Sequence, residues 1–322
     1  MSSSAPRTVA VIGEALVDIV DGMAHPGGSP MNVAVGLARL GEPVTLHTLL
    51  GADAHGDLIR AHLDESAVTV GNLSDGDGAT WAATAELAGD GSATYRFRMD
   101  GTIPVPALAG LRAVHTGSIG ALRAAEAGSV LAAFSAADAS TLRSLDPNIR
   151  ADVMGEGARE RAEQLAAQCH VVKLSDEDAA WLYPGESLED VLARIAALGP
   201  RFVVATRGGE GCLALVDGVL SERPATPVVV ADTIGAGDAF MSGLLFGLLR
   251  DDADRAIVEG AALSAERIAR ALATASASAS VAVSRTGANP PRPAELADAL
   301  ARMDSGSDDA GLRRAAASPV RD

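Results

Sequence analysis

Aromatic residues and cysteines are scarce in this sequence. The first shortage limits the composition of the core, and the second excludes two kinds of protein. Aromatic side chains make up 3% of the 322 residues, whereas 48% of all residues are apolar, so the core must consist mainly of Ala, Val, Leu and Ile. The two cysteines, Cys169 and Cys212, lack CxxC spacing. This excludes a disulfide framework or a cysteine-rich zinc site and favours reduced, buried thiols. A chain of this length can form one large α/β domain or two ordinary ones.

Positive charge is also scarce. The sequence has 26 Lys and Arg against 42 Asp and Glu, a formal net charge of −16, and its only lysine is Lys173. Nucleic-acid phosphates are bound by clusters of Lys and Arg, so this composition argues against a nucleic-acid partner. No GxxxxGK[ST] motif occurs, which excludes a P-loop of the Walker type. Any ATP site must therefore use backbone N–H groups, a few arginines and a divalent cation.

Long hydrophobic runs are absent as well. No apolar segment approaches the length that crosses a bilayer, so we expect no membrane partner. Residues 1–20 lack a basic region followed by a sustained apolar segment, so we expect no signal peptide. Together these features predict a cytoplasmic protein.

Strand and helix patterns alternate along most of the chain. Runs typical of buried strands occur at 8–16, 43–51, 112–118, 141–148, 170–175 and 201–208. Helical spacing occurs between them, at 31–41, 121–137 and 155–168. Near the C-terminus we predict a helix over 252–281 that runs into a strand, and a disordered tail over 303–322. Alternating strands and helices imply parallel pairing and a layered α/β sheet with right-handed crossovers.

One segment has the two-residue period of a β-hairpin. In 81-WAATAELAGDGSATYRFRMDG-101, a GDG turn separates two alternating runs, so 83–87 can pair with 93–97. With the segment around 17–25, this hairpin predicts a small accessory sheet. One apolar face of that sheet must be covered, either by a second subunit or by the body of the protein.

The stretch 232-DTIGAGDAF-240 has the composition of a phosphate site. Gly235, Ala236 and Gly237 have almost no side chains, so a ligand can approach their backbone closely. The apolar run that follows predicts a helix, whose first N–H groups and dipole would bind an anion. Asp238 would then lie beside the phosphate as the acceptor of a hydroxyl proton, as phosphoryl transfer requires. The alternative from these residues alone is a tight turn with Asp238 as a helix cap.

Two motifs resemble the signatures of the ribokinase-like (PfkB) carbohydrate kinases. The first is 27-GGSPMNVAVGLARLG-41 and the second is 232-DTIGAGDAFMSGLL-245, and they occur in the family's order. The resemblance covers nearly the whole chain. It implies a three-layer α/β/α sandwich with a small inserted β-sheet lid. The kinase domain would span 1–300, with lid insertions at about 15–30 and 70–105.

The resemblance also implies roles for individual residues. Asp238 corresponds to the family's general base, and the backbone of 235–237 to its anion hole. The sugar would be bound by Asp18, Gly28 and Asn32, and carboxylate and amide groups suit neighbouring sugar hydroxyls. The residues by themselves also allow Asp18 to be a solvated turn residue and Asn32 to be a helix-start residue.

On the nucleotide side, the resemblance implies that ATP, the co-substrate, is bound by Thr206, Gly208, Gly211 and Ser175. Asp178 takes the position of the family's glutamate near Mg²⁺, and this shorter acid could hold the ion through water. An ordinary β-hairpin or helix-start turn is the alternative for the glycine-containing turn. The alternative for Asp178 is an acidic residue that stabilises a helix N-terminus.

A monovalent-cation site is implied in the same way, as in members of the family that need potassium. Its ligands would be the Asp232 side chain and several backbone carbonyls, those of Ile234, Ala282, Arg285 and Gly287. A serine that often completes this site is replaced here by Pro291. Asp232 could instead be a turn residue that ends a strand.

Several segments resemble fructokinases in particular, namely 27–41, 145-LDPNIR-150 and 173-KLSDED-178. The lid residues Arg96 and Arg98 match an arginine-bearing segment of those enzymes, and they could contact the sugar or the phosphate, or lie on a solvated strand face. The expected reaction is therefore phosphate transfer from ATP to a primary hydroxyl of fructose.

Other functions stay open at this point. The chain could be a 2-keto-3-deoxygluconate, ribose or nucleoside kinase, or a non-catalytic sugar-binding protein on the same fold. A dinucleotide-dependent oxidoreductase is disfavoured, because the sequence after Val11, IGEALVDI, lacks GxGxxG. We expect a homodimer that forms through the lid.

Overall fold

The computed structural model describes residues 8–71, 78–87, 93–103 and 105–305. The strands are β1 (Val9–Ile12), β2 (Leu16–Val20), β3 (Met23–Gly27), β4 (Val44–His47), β5 (Thr69–Gly71), β6 (Trp81–Leu87), β7 (Ala93–Arg98), β8 (Ala113–Gly117), β9 (Leu142–Asp146), β10 (Val171–Ser175), β11 (Phe202–Thr206), β12 (Cys212–Val216) and β13 (Val219–Arg223). The helices are α1 (Ser29–Arg39), α2 (Ala54–Glu65), α3 (Ser118–Leu122), α4 (Ala124–Ala136), α5 (Ala151–Met154), α6 (Ala158–Ala166), α7 (Asp176–Leu182), α8 (Leu188–Ala197), α9 (Ala236–Arg250), α10 (Ala253–Val258), α11 (Ala265–Val283) and α12 (Pro293–Ser305).

A nine-stranded sheet in the order β13-β12-β11-β10-β9-β8-β1-β4-β5 forms the centre of the molecule. The seven strands from β11 to β5 are parallel, which confirms the prediction from the alternating pattern. Strands β12 and β13 are antiparallel and form one edge. The carboxyl ends of the parallel strands meet at one edge of the sheet, where α/β proteins bind their ligands.

Helices cover both faces of this sheet. In β1, Val9 and Val11 belong to one buried cluster together with residues of α1, α9 and α11. The intervening Ala10 and Ile12 belong to a second cluster with residues of α4, α6 and α8. Because successive side chains of a strand point to opposite faces, the two clusters lie on opposite sides of the sheet. The predicted three-layer α/β/α sandwich is confirmed.

The remaining strands form a four-stranded sheet in the order β3-β2-β6-β7, which we call the lid sheet. The predicted pairing of 83–87 with 93–97 is confirmed, and its register places Ala83 opposite Phe97 and Leu87 opposite Ala93. Trp81 and Ala83 are buried in the same cluster as part of the main core. The body of the protein therefore covers this part of the lid sheet within one chain.

Two predicted helices differ from the structure. The predicted helix 252–281 is interrupted between Val258 and Ala265, where Gly260 adopts a φ of +74° that a helix cannot accommodate. Helix α11 then continues to Val283, and no strand follows it in the described chain. The predicted helix 121–137 is divided at Arg123, whose backbone is extended.

The C-terminal boundary also differs from the sequence-based one. Helix α12 ends at Ser305, so it crosses residue 300, and residues 303–305, which the sequence assigned to the tail, are helical. The reason is that α12 keeps its apolar spacing, with Leu296 and Ala299 buried and Met303 packed against the core. The rest of the predicted tail, 306–322, lies outside the described residues. Within the described residues, no helix is long and apolar enough to cross a membrane.

Candidate active site

A cavity of about 990 Å³ opens at the carboxyl ends of the parallel strands, against the N-terminus of α9. The structure brings to its wall every residue that the sequence assigned to catalysis and nucleotide binding, and the predicted magnesium residue: Asp238, Gly235, Ala236, Gly237, Ser175, Thr206, Gly208, Gly211 and Asp178. These residues lie at the ends of strands β10 and β11, in the segments that directly follow those strands, and at the start of helix α9. They meet because neighbouring parallel strands end at the same edge of the sheet. Ile234 also lies on the wall, whereas the predicted sugar-binding residues do not.

The turn before α9 has the geometry of an anion site. Gly235 caps the helix in a left-handed conformation with φ +74°, and a β-carbon added there would lie 2.7 Å from the β-carbon of Ala288. Gly235, Ala236 and Gly237 line the cavity, so the positive end of the dipole of the 15-residue helix α9 lies at the cavity wall. The N–H of Ala236 already donates to the Thr233 carbonyl at 3.2 Å. That bond stabilises the turn and leaves fewer free N–H groups than the sequence suggested.

The carboxylate of Asp238 is 8% exposed and is bound from across the fold. Ser29 donates from its hydroxyl to Oδ1 at 2.6 Å, and Asn32 donates from its side-chain amide to Oδ2 at 2.8 Å. Ser29 and Asn32 are three residues apart in α1 and therefore share one face of that helix. The sequence assigned Asn32 to the sugar, but in this structure its amide holds Asp238. Ser29 was not predicted, although its spacing from Asn32 in the GGSPMN motif was a usable signal.

The other predicted sugar residues lie where the lid sheet joins the body. Asp18 is in β2, and a β-carbon added at Gly27 would overlap its carboxylate, so Asp18 lies directly beside the glycine pair. Gly28 has φ +112°, and a β-carbon there would be 2.6 Å from the Glu14 carbonyl oxygen. Burial raises the pKa of Asp18, while Arg150 and His25 act in the opposite direction. Asp18 and Gly28 thus share one corner of the structure.

The two lid arginines lie on the other face of the lid sheet. Asp18 is in register with Ala83, and Ala83 is in register with Phe97, so these three residues share one face. Arg96 and Arg98 flank Phe97 and therefore point away from Asp18. Both are exposed, and Arg98 donates to the Thr80 carbonyl at 3.1 Å.

Arg150 is the arginine that the structure brings near the predicted sugar residues. It follows β9, lies on the cavity wall and acts electrostatically on both Asp18 and Glu14. The sequence placed Arg150 only behind the site, as part of the fructokinase-like segment 145–150, because the LDPNIR motif alone does not indicate which way this side chain points.

Ser175 and Asp178 form a capping box at the start of α7. Ser175 accepts from the Asp178 N–H at 2.9 Å, and Asp178 accepts in return from the Ser175 N–H at 2.9 Å. The second carboxylate oxygen of Asp178 accepts from the N–H of Ile149 at 2.7 Å. This is the helix-stabilising role that the sequence left open. Both carboxylate oxygens of Asp178 thus already accept hydrogen bonds, so only their remaining lone pairs could also contact a magnesium ion or its water. Asp178 lines the cavity.

Thr206, Gly208 and Gly211 belong to the connection between β11 and β12, which is the β-hairpin that the sequence left as an alternative. A short 3₁₀ turn over Gly208–Glu210 exposes backbone at the cavity. Gly211 has φ +95°, and a β-carbon there would overlap the Arg223 carbonyl oxygen. The close packing of this hairpin therefore requires glycine at position 211.

The residues of the predicted monovalent-cation site come from two segments that lie together. Asp232 accepts from the N–H of Ile234 at 3.0 Å and from the N–H of Gly287 at 2.8 Å. These two backbone hydrogen bonds lower the pKa of Asp232. The Ala282 carbonyl accepts from the N–H of Arg285 at 3.1 Å as α11 ends. In the described residues, no group of three or more His, Cys, Asp or Glu side chains is arranged to hold a metal ion.

Comparison with known proteins identifies this arrangement. A model of the family described as pfkB family carbohydrate kinase matches residues 13–295. The chain belongs to this family. It is therefore an ATP-dependent carbohydrate kinase, and the resemblance noted from its two motifs is confirmed.

Curated relatives of this pfkB kinase include several fructokinases. It is 33% identical over 255 residues to fructokinase of Klebsiella pneumoniae, and the aligned region covers 74% of this chain and 83% of the relative. It is 31% identical over 259 residues to fructokinase of Rhizobium leguminosarum bv. trifolii, covering 74% and 79% of the two chains.

Solved structures agree with the fold. A double mutant of fructokinase from Vibrio cholerae O395, with fructose, ADP and potassium bound, has a TM-score of 0.79 and 27% identity and covers 92% of this pfkB kinase and 99% of itself. Fructokinase from Xylella fastidiosa with bound ATP has a TM-score of 0.82 at 23% identity and covers 93% and 100% of the two chains, which supports the fold alone. Aminoimidazole riboside kinase from Salmonella enterica has a TM-score of 0.75 at 25% identity, with 91% and 99% covered. The predicted ribokinase-like fold is confirmed.

Proposed function

We propose that this pfkB kinase transfers the γ-phosphate of ATP to a primary hydroxyl of fructose and forms fructose 6-phosphate and ADP. The observation that carries the proposal is the position of Asp238, whose carboxylate lies on the cavity wall in the first turn of α9. There a proton acceptor and an anion site are next to each other. The identity to curated fructokinases, and the fructose bound to the Vibrio cholerae relative, support fructose as the acceptor.

In the proposed mechanism, Asp238 accepts the proton of the sugar hydroxyl while the hydroxyl oxygen attacks the γ-phosphorus. The new oxygen–phosphorus bond forms as the bond to the bridging oxygen breaks, and ADP leaves with the electron pair of that bond. Ser29 and Asn32 orient the carboxylate through their hydrogen bonds. The free backbone N–H groups around Gly235–Gly237 stabilise charge on the transferred group.

Mg²⁺ and potassium are part of the proposal. Asp178 is the residue that would hold Mg²⁺, through water, and the ion would supply positive charge to the ATP phosphates. Asp232 and the carbonyls of the neighbouring loop would surround potassium, which the Vibrio cholerae relative binds. ATP as phosphate donor also fits the cytoplasmic location that the sequence predicted.

The sugar would be bound by Asp18 and Gly28 at the junction with the lid sheet. Arg150 is better situated than Arg96 or Arg98 to contact it, because it lies near Asp18 and on the cavity wall. Closure of the lid sheet would exclude water and prevent wasteful hydrolysis of ATP.

We also propose that the lid sheet mediates a homodimer. Val20 is 41% exposed and Met23 is 61% exposed, and both lie at the end of the β2–β3 hairpin. Apolar residues of this size on a sheet end suit a second copy of the chain. Light scattering of the wild type and of a Val20→Ser/Met23→Ser variant tests this, and a monomeric wild type would contradict it.

The substrate test is an ADP-release assay with fructose, tagatose, ribose, 2-keto-3-deoxygluconate and adenosine as separate acceptors. We expect kcat/KM for fructose to exceed that for each other acceptor by at least about 10-fold, a difference that corresponds to about 1.4 kcal/mol. A higher value for the nucleoside would favour a nucleoside kinase, the activity type of the Salmonella enterica relative. Binding of a sugar without ADP release would favour the non-catalytic alternative.

The base is tested in the same assay with Asp238→Asn. We expect kcat to fall by about 10²- to 10⁴-fold, the usual contribution of a general base, with an unchanged melting temperature. Asp64→Asn, an equivalent change at an exposed position of α2, is the control and should keep wild-type turnover. Near-normal turnover of Asp238→Asn would show that another group accepts the proton.

A further inference from the structure

Lys173, the only lysine in the chain, is buried in β10 and lies on the wall of the cavity. It is 3% exposed, and its Nζ donates to Oδ2 of Asp146 at 2.8 Å. Asp146 ends the neighbouring strand β9 and is fully buried. In a chain with a net charge of −16, the only lysine side chain is thus buried beside the predicted phosphate site.

The ammonium group of Lys173 has donors that this ion pair does not use, and they could bind an acceptor. Oδ1 of Asp146 is also buried and has no hydrogen-bond partner among the described residues, but as an acceptor it needs a donor and does not itself indicate an anion. The structure gives Nζ of Lys173 a single hydrogen bond in the described part of the chain, although an ammonium group has three donors. Buried charges are costly unless their hydrogen-bonding capacity is used, so a purely structural pair would be expected to have more partners.

The charge state of Lys173 suits an anionic ligand. Burial by itself would lower its pKa, but the carboxylates of Asp146, Asp178 and Asp238 outweigh burial and raise the pKa. The ammonium group therefore stays protonated at neutral pH. Arg150 is the other basic side chain on the described wall of the cavity, and it lies toward Asp18 and Glu14.

The position of Nζ relative to α9 identifies what it can contact. A β-carbon added at Gly237 would lie 2.9 Å from Nζ, so the ammonium group touches the first turn of α9. An anion on that turn would be within reach of the same group. Glycine at 237 thus has a second function, because any side chain there would displace the ammonium group.

We propose that Lys173, oriented by Asp146, donates a hydrogen bond to a nonbridging oxygen of the terminal phosphate of ATP when that phosphate lies on the Gly235–Gly237 turn. The inference rests on the proposed function for the position of the phosphate. Lys173 is then a catalytic residue that carries positive charge to the transferred group. Asp146 is a positioning residue that acts through Lys173.

The test compares two nucleotides that differ in their phosphates. The dissociation constants of the β,γ-imido analogue of ATP and of AMP are measured by calorimetry for the wild type, Lys173→Met and Lys173→Arg, without sugar. We expect Lys173→Met to bind the imido analogue about 10- to 100-fold more weakly, since a hydrogen bond to a charged group is lost, and AMP within about twofold of wild type. The dissociation constant of Lys173→Arg for the imido analogue should lie between those of the wild type and Lys173→Met. Arg255→Met, at an exposed position of α10, is the control and should change neither constant.

Equal losses for the two nucleotides, or no loss for the imido analogue, would overturn the proposal, because a merely structural lysine does not distinguish them. If Lys173→Met does not fold, Lys173→Met/Asp146→Leu removes both buried charges together and is compared in the same way. The outcome is separate from that of the substrate test. A chain that phosphorylates no sugar could still show the selective loss, and an active fructokinase could fail to show it.

Discussion

Asn32 donates a 2.8 Å hydrogen bond to the carboxylate of Asp238, although 206 residues separate them in the chain. Asn32 belongs to the first motif, in α1, and Asp238 to the second, in α9. The two helices pack against each other, so the motifs are two halves of one site. The first motif therefore binds directly to the carboxylate that we propose as the general base, in addition to any contact with the sugar.

Removing the donors to Asp238 should lower turnover more than substrate binding. In Ser29→Ala and Asn32→Ala we expect kcat to fall by about 10- to 100-fold, because the carboxylate loses a bond that fixes its orientation. KM for ATP should change less than threefold. Steady-state kinetics measures both constants, and Ser221→Ala in edge strand β13 is the control. A raised KM with an unchanged kcat would instead assign these residues to substrate binding.

Replacing Gly235 by alanine should destabilise the protein for two separable reasons. Gly235→Ala must adopt a left-handed φ, which costs about 1–2 kcal/mol, and must also fit a methyl group against Ala288, which costs about 1–3 kcal/mol more. Gly260 has the same φ of +74° with nothing within 4 Å of an added β-carbon. Gly260→Ala should therefore show the first cost alone and keep kcat. Urea unfolding and turnover compare the two variants, and equal losses of stability would contradict the packing argument.

Glu14 should make the free energy of unfolding depend on pH. Its carboxyl group is 2% exposed and accepts from the N–H of Gly120 at 2.7 Å, and burial raises its pKa from 4.5 to about 7. Between these values the unfolded chain releases the proton while the folded chain keeps it. Stability due to this group is therefore lost as pH rises through this window, by an amount on the order of 3 kcal/mol.

The measurement for Glu14 is urea unfolding of the wild type and Glu14→Gln at pH 5 and pH 8. The amide does not titrate, so Glu14→Gln should gain stability relative to the wild type at pH 8. Other titrating groups cancel in the difference between the two proteins. A difference that does not change with pH would show that Glu14 is ionised in the folded state.

Potassium should activate the enzyme through the loop that Asp232 holds. We expect kcat/KM for ATP to be several-fold higher in KCl than in choline chloride at equal ionic strength. Asp232→Asn should abolish this difference, because an amide no longer offers two anionic oxygens to Ile234, Gly287 and the ion. Equal rates of the wild type in the two salts would contradict the cation site.

Local patterns in the sequence predicted the layers of this fold correctly. The alternation of β-branched runs and helical spacing indicated a parallel sheet, and the two-residue period of 81–101 indicated the lid hairpin. These predictions succeed because burial on one or two faces leaves a period that can be read along the chain. The helix break at Gly260 was not predicted, since a single residue sets it. The end of α12 was predicted too early, although its apolar spacing continues to Met303.

Some features of the candidate site could likewise be predicted from the sequence, and others could not. The sequence could place Gly235, Gly237 and Asp238 together at the start of a helix, because these residues are neighbours in the chain and the apolar run that follows them is local. The partners of Asp238 and the pairing of Lys173 with Asp146 could not be recognised, because each depends on which residues distant in the chain meet. The position of Arg96 and Arg98 on the face opposite Asp18 likewise depends on the pairing of β2 with β6. Only the packing of the whole chain decides those contacts, because backbone periodicity carries no information about which side chains meet across elements.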